Sequence, residues 1–196
     1  MGLQYTLTDY QDASPIITSW EGAFNSQEID YLQNLARNSP TQVAQVGGGN
    51  IDIQDNDVRR SNVSWLNNSN ENNWIFERLG HVISSLNSTN YRYDLTGFGE
   101  PIQLTNYNAS DAGMYSWHQD FGSTVSRKLS LVMQLSDPVD YEGGTLEIMT
   151  SKTPQKISKQ RGLISVFPSF TVHQVTPVTE GHRQSLVCWI TGPQFK

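Results

Sequence analysis

The sequence predicts a mainly β fold with flanking helices, a β-sandwich or barrel carrying N-terminal helices on one sheet. Three observations predict it. From Tyr91 onward, short β-branched and apolar runs recur between Gly, Pro and Asp turns, the spacing of an all-β core. The front third instead places apolar residues at helical spacing in two segments. Finally, the 196 residues contain no repeat, linker or low-complexity tail, so a single domain over 1–196 is expected, with a helical front at 1–90 and a β core at 91–196.

The first helix follows Asn25-Ser26-Gln27-Glu28, which supplies an N-cap and the Glu of a capping box. Ile29, Leu32, Leu35 and Ala36 then share one face. A Gly- and Asn-rich loop around Gly47-Gly48-Gly49-Asn50 precedes the second helix, expected over Asn72 to Leu86 with Ile75, Leu79, Val82, Ile83 and Leu86 inward. His81 lies beside that stripe and reads as a surface or packing histidine. The expected strands are Ile102–Tyr107, Leu129–Leu135, Thr145–Met149, Leu163–Phe167 and Ser185–Ile190.

Composition narrows the function classes. The formal charge is −6, and no Lys/Arg cluster is denser than Arg59-Arg60 or Arg127-Lys128. Phosphate-backbone binding draws on a basic stripe, so no nucleic-acid partner is expected. The single cysteine, Cys188, rules out an internal disulfide framework and reads as a buried, inert thiol within Leu186–Ile190. With no signal segment and no apolar stretch of membrane-spanning length, a cytoplasmic protein without membrane association is expected. The Asn-X-Ser/Thr triplets at Asn62, Asn67, Asn87 and Asn108 read as coincidence in an Asn- and Ser-rich chain. Oligomeric state leaves no trace.

The chemistry begins at His118-Gln119-Asp120. In an extended segment, residues two apart project to the same side, so His118 and Asp120 can share one ion. The third ligand must come from elsewhere, and His173 is the best candidate. Two histidines and one carboxylate on one face of an octahedral metal leave three positions open, the facial triad of non-haem iron oxygenases. Ten residues on, Arg183 opens a strand in which Arg183, Ser185, Val187 and Trp189 share one face and Leu186, Cys188 and Ile190 the other. An arginine on an interior face needs an anion, and its planar fork matches a carboxylate. A dicarboxylate spanning metal and Arg183 satisfies both; the alternative is a solvated Arg183 at an exposed strand start. His182, of opposite parity, reads as a turn residue. Trp117, next to a ligand, reads as packing on the sheet.

Four ordered stretches carry a resemblance: Tyr107–Asp120, Arg127–Pro138, Tyr141-Glu142-Gly143-Gly144-Thr145-Leu146, and His173–Trp189. They resemble the prolyl 4-hydroxylase-like branch of the 2-oxoglutarate/Fe(II)-dependent dioxygenases, and within it the PKHD-type hydroxylases. The resemblance covers roughly Arg59 to Trp189, with Arg59-Arg60-Ser61 matching an Arg-containing strand before the second helix. It implies a double-stranded β-helix (jelly-roll) core. It also implies His118, Asp120 and His173 as iron ligands and Arg183 as partner of the distal carboxylate of 2-oxoglutarate. Tyr107, Leu146, Ser185 and Trp189 would complete the co-substrate pocket, although Tyr107 stands further from His118 than in many relatives. Gln134 stands where many relatives carry a tyrosine on the distal carboxylate, and its amide is a substitute donor. Tyr115, Arg127 and Trp189 would meet the substrate.

The implied activity is hydroxylation of an unactivated C–H in a protein or peptide side chain, prolyl first among them, or in a free amino acid. It would use Fe(II), 2-oxoglutarate and O2, with ascorbate as an accessory reductant, and release succinate and CO2. Two other readings are weighed beside it: a nucleobase-directed oxygenase of the oxidative repair type, and a catalytically inactive β-sandwich that keeps a structural metal as a binding module.

Overall fold

A computed structural model describes residues 15–45, 55–121 and 125–194; the Gly47–Asn50 loop lies outside them. In chain order the strands are β1 (Thr18–Trp20), β2 (Gln42–Val43), β3 (Arg59–Arg60), β4 (Asn62–Leu66), β5 (Gly97–Phe98), β6 (Ile102–Asn108) and β7 (Met114–His118). After them come β8 (Arg127–Gln134), β9 (Tyr141–Gly143), β10 (Leu146–Met149), β11 (Pro154–Lys156), β12 (Ile164–Pro168), β13 (His173–Val175) and β14 (Val178–Thr191). The helices are α1 (Ser26–Asn38) and α2 (Asn73–Leu86).

Two antiparallel sheets face each other. The major sheet runs β1-β12-β8-β14-β6-β4-β2, with β5 and β9 also paired to β14; the minor sheet runs β11-β10-β13-β7-β3. Successive strands therefore alternate between sheets: β6 major, β7 minor, β8 major, β10 and β11 minor, β12 major, β13 minor, β14 major. That alternation is the double-stranded β-helix, and the expected jelly-roll with helices on one sheet is the observed architecture.

Strand parity decides which face does what. Leu129, Leu131 and Met133 of β8, Leu186, Cys188 and Ile190 of β14, and Leu104 of β6 form one buried cluster with both helices. The α1 capping box is present, Asn25 Oδ1 accepting from Glu28 N at 2.9 Å and Glu28 Oε2 from Asn25 N at 2.9 Å. α1 contributes Ile29, Leu32 and Ala36 to the cluster, and α2 contributes Ile75, Leu79, Val82, Ile83 and Leu86. Leu35 is only partly buried against it. The opposite face of the same strands looks into the space between the sheets, and it carries the polar residues.

Three expectations are corrected. The front third is not helix and loop alone, since β1 to β4 lie there and extend both sheets. β1, β2 and β3, of two or three residues, are too short to show alternation, and their pairing is decided by distant partners. Arg183 does not open a strand: β14 starts at Val178, and Arg183 sits well inside it, 1% exposed. Gly181 obscures that start; its φ is 70°, and an added Cβ would meet the Asp140 carbonyl at 1.9 Å. His182 accordingly lies on β14 opposite Asn108, not in a turn. His81 is exposed beside Trp20, as expected. Among the described residues no helix is long and apolar enough to cross a membrane.

Candidate active site

The antiparallel pairing of β13 with β7 sets His173 directly opposite His118. Residues so paired hold their Cβ atoms about 4.5–5.5 Å apart, close enough to serve one ion. Asp120 follows β7 and is tied down by its backbone N–H, which donates to Ser169 O at 2.9 Å. The candidate ligand atoms of His118, Asp120 and His173 all lie within 4.8 Å of one another. Asp120 Oδ1 is 3.7 Å from His118 Nε2, and Oδ2 is 3.5 Å from His173 Nε2.

Backbone carbonyls fix both imidazoles. His118 Nδ1 lies 2.7 Å from Ser116 O and His173 Nδ1 lies 2.9 Å from Thr171 O. A carbonyl only accepts, so each Nδ1 carries a hydrogen and each Nε2 is the atom turned toward the carboxylate. Ser130 Oγ donates to Asp120 Oδ2 at 2.7 Å and holds that side chain. Burial and the neighbouring His173 hold His118 well below the ordinary imidazole range. Burial works to raise Asp120, but His173, His118 and the Ser130 hydroxyl outweigh it and keep the carboxylate ionised. A divalent metal binds such a set through an unprotonated nitrogen of each imidazole and an ionised carboxylate.

Arg183 lines the same cavity, of about 410 Å³, as the three candidate ligands. Its Nη2 donates to Gln134 Oε1 at 3.1 Å, while Nε and Nη1 are buried without a partner. Tyr107, opposite it on β6, lies under the guanidinium at 5.1 Å. Gly144, at φ 56°, clears the space: an added Cβ would meet Arg183 Cδ at 2.9 Å. Ser185, Val187 and Trp189 also line the cavity, as the parity reading requires, together with Leu146, Tyr115 and Arg127. Trp117 is exposed at 39% and does not line it.

Some site residues were not read from the sequence. The Tyr141 hydroxyl is buried beside Arg183; burial raises its pKa, and the charge and contact of Arg183 pull the other way. Ser130 was legible by parity, two residues before Val132 and four before Gln134 on the inner face of β8. Glu100 left no signal, yet it grips Arg127 with two contacts of 2.6 Å, while the Arg127 guanidinium stacks 3.9 Å over Trp189.

Residues 102–191 match the sequence profile of the 2OG-Fe(II) oxygenase superfamily, and the converging triad falls within that stretch. Over that stretch, 90 of the 196 residues, the chain resembles this superfamily. A PKHD-type hydroxylase of Prochlorococcus marinus is 42% identical over 84 residues, covering 42% of this chain and 38% of that protein. A PKHD-type hydroxylase of a Synechococcus strain is 36% identical over 120 residues, covering 58% of this chain and 54% of that protein. The matches thus span about two fifths to one half of these relatives' lengths. In three dimensions the oxygenase fold matches a Pseudomonas putida prolyl-4-hydroxylase with a TM-score of 0.72 at 17% identity, covering 91% of this chain and 94% of that one. It also matches a Trichoplax adhaerens prolyl hydroxylase, solved with a hypoxia inducible factor peptide fragment. There the TM-score is 0.73 at 18% identity, covering 90% of this chain and 84% of that one.

Proposed function

We propose that this single domain is an Fe(II)- and 2-oxoglutarate-dependent hydroxylase acting on a C–H of a protein or peptide side chain, with prolyl the leading residue. One observation carries the reading. A single cavity holds a two-histidine, one-carboxylate cluster together with a buried arginine whose Nε–H and Nη1–H lack acceptors. The donor set suits iron with positions left open, and the orphaned guanidinium suits a carboxylate. A dicarboxylate satisfies both ends at once.

His118, Asp120 and His173 would hold the iron, and Arg183 the distal carboxylate. When bound, iron and 2-oxoglutarate supply the oxidising chemistry, and the protein supplies position and dryness. Ser130 and the two backbone carbonyls fix the ligand orientations before any ion arrives. Gln134 holds the Arg183 fork in plane, and Val187, Val175 and Leu146 wall the cavity against water. Tyr115, Trp189 and Arg127 stand where a peptide would approach. The peptide-bound Trichoplax relative and the PKHD-type names support a peptide substrate.

The test is succinate formation from 2-oxoglutarate with added Fe(II) and ascorbate, followed by mass spectrometry of a peptide library for the gain of one oxygen. Iron-dependent succinate with oxygen gain on prolyl peptides is expected. Absence of succinate from folded, iron-loaded protein overturns the enzyme reading, and oxygen gain confined to other residues overturns the prolyl assignment.

A further inference from the structure

We infer that Arg59 forms a second anion site in this cavity, which selects a substrate bearing a carboxylate close to the carbon that reacts. The inference rests on the oxygenase reading above and names its substrate class.

Charge accounting around the cavity leads there. Among the described residues its lining carries three arginines, Arg59, Arg127 and Arg183, and two carboxylates, Glu100 and Asp120. Glu100 neutralises Arg127 through two contacts of 2.6 Å, Asp120 belongs to the metal cluster, and Arg183 is matched to the co-substrate. Arg59 is left over. It is 7% exposed, and among the described residues the one hydrogen bond of its side chain runs from Nε to Ser61 Oγ at 2.9 Å. Among the described residues neither terminal nitrogen has an acceptor and no carboxylate pairs with it.

A buried guanidinium without a counter-ion is costly, and ring stacking offsets only part of that cost. Arg59 lies 4.5 Å over the Tyr115 ring, and the same ring stacks on His118 at 3.4 Å. The cation therefore stands one side chain from the metal cluster, on a strand of the minor sheet, whereas Arg183 stands on the major sheet. An extended chain advances about 3.3–3.6 Å per residue. A carboxylate on Arg59 would thus sit within about two residues of the reacting carbon, as an acidic side chain or as a chain terminus. Arg127 cannot take this role while Glu100 holds its fork.

The test uses Mn(II)-loaded protein saturated with 2-oxoglutarate in the absence of oxygen, so that Arg183 is occupied and no turnover occurs. Trifluoroacetate is the probe, and broadening of its fluorine NMR line by the bound Mn(II) reports an anion close to the metal. Wild type should broaden the line saturably. Arg59→Met should weaken binding roughly tenfold or more, the loss of one charge-assisted contact, while Arg59→Lys retains part of it. Ser61→Asp, which sets a carboxylate beside Arg59 and keeps the arginine, should also weaken it. Metal and 2-oxoglutarate loading are measured for every variant. Broadening equal in wild type, Arg59→Met and Ser61→Asp overturns the inference, as does no broadening in loaded wild type. Failure of wild type to load Mn(II) and 2-oxoglutarate overturns the oxygenase reading and this inference with it.

Competition separates the sources. Displacement by acetyl-aspartic acid amide points to a side-chain carboxylate, and displacement by acetyl-glycyl-glycine to a chain terminus. Displacement by neither overturns the assignment of a substrate carboxylate.

Discussion

Replacing Arg183 with methionine should uncouple co-substrate binding from metal binding. Methionine keeps most of the stem volume and removes the charge. Arg183 is 1% exposed, and two of its nitrogens have no partner. Without ligand the variant should be no less stable than wild type, because an uncompensated buried charge has been replaced by an apolar group. With ligand the difference should be large. At about 100 times its Kd, 2-oxoglutarate adds about 2.7 kcal/mol to wild-type stability. For a domain of this size that raises Tm by roughly 5–11 °C. Truncating one partner of a buried charge pair costs about 2–5 kcal/mol, so affinity falls at least roughly 30-fold. At the same concentration the variant then gains at most about 0.9 kcal/mol, or roughly 2–3.5 °C. Thermal melts of Mn(II)-loaded proteins with and without 2-oxoglutarate measure the difference, and Mn(II) titration should give matching affinities. A wild-type ligand shift in Arg183→Met would refute the assignment, and weakened Mn(II) binding would move the arginine to the metal.

Asp120→Ala should lose bound Mn(II) while retaining its circular dichroism spectrum; stoichiometric metal in the purified variant would count against the triad. Ser130→Ala frees Asp120 Oδ2 from a 2.7 Å contact and should weaken metal affinity about 10–100-fold, as losses of such supporting partners do. Gly144→Ala should raise the Kd for 2-oxoglutarate more than that for Mn(II), since its Cβ would press on Arg183 Cδ; equal effects would mean general damage to the fold. Cys188, whose thiol is pushed up by complete burial, should resist a thiol reagent in native buffer and react once the chain is unfolded.

The sequence alone determined the periodicities and, through them, the faces. Helical spacing placed Ile29 with Leu32 and Ala36, and Asn25 with Glu28 as a cap, because those relations lie within one turn. Period-two spacing sorted β14 into Leu186, Cys188 and Ile190 toward the helices and Arg183, Ser185, Val187 and Trp189 toward the cavity. It also put His118 and Asp120 on one side. Tertiary structure decided what no local pattern encodes. That His173 meets His118 follows from the register of β13 on β7, a pairing across 55 residues of chain. The grip of Glu100 on Arg127, the Tyr141 hydroxyl buried beside Arg183 and the stacking of Arg59 on Tyr115 all depend on side chains brought together from separate strands and loops. The short strands before Tyr91 belong to the same class: pairing energy comes from the partner, so two or three residues can become a strand without any pattern of their own.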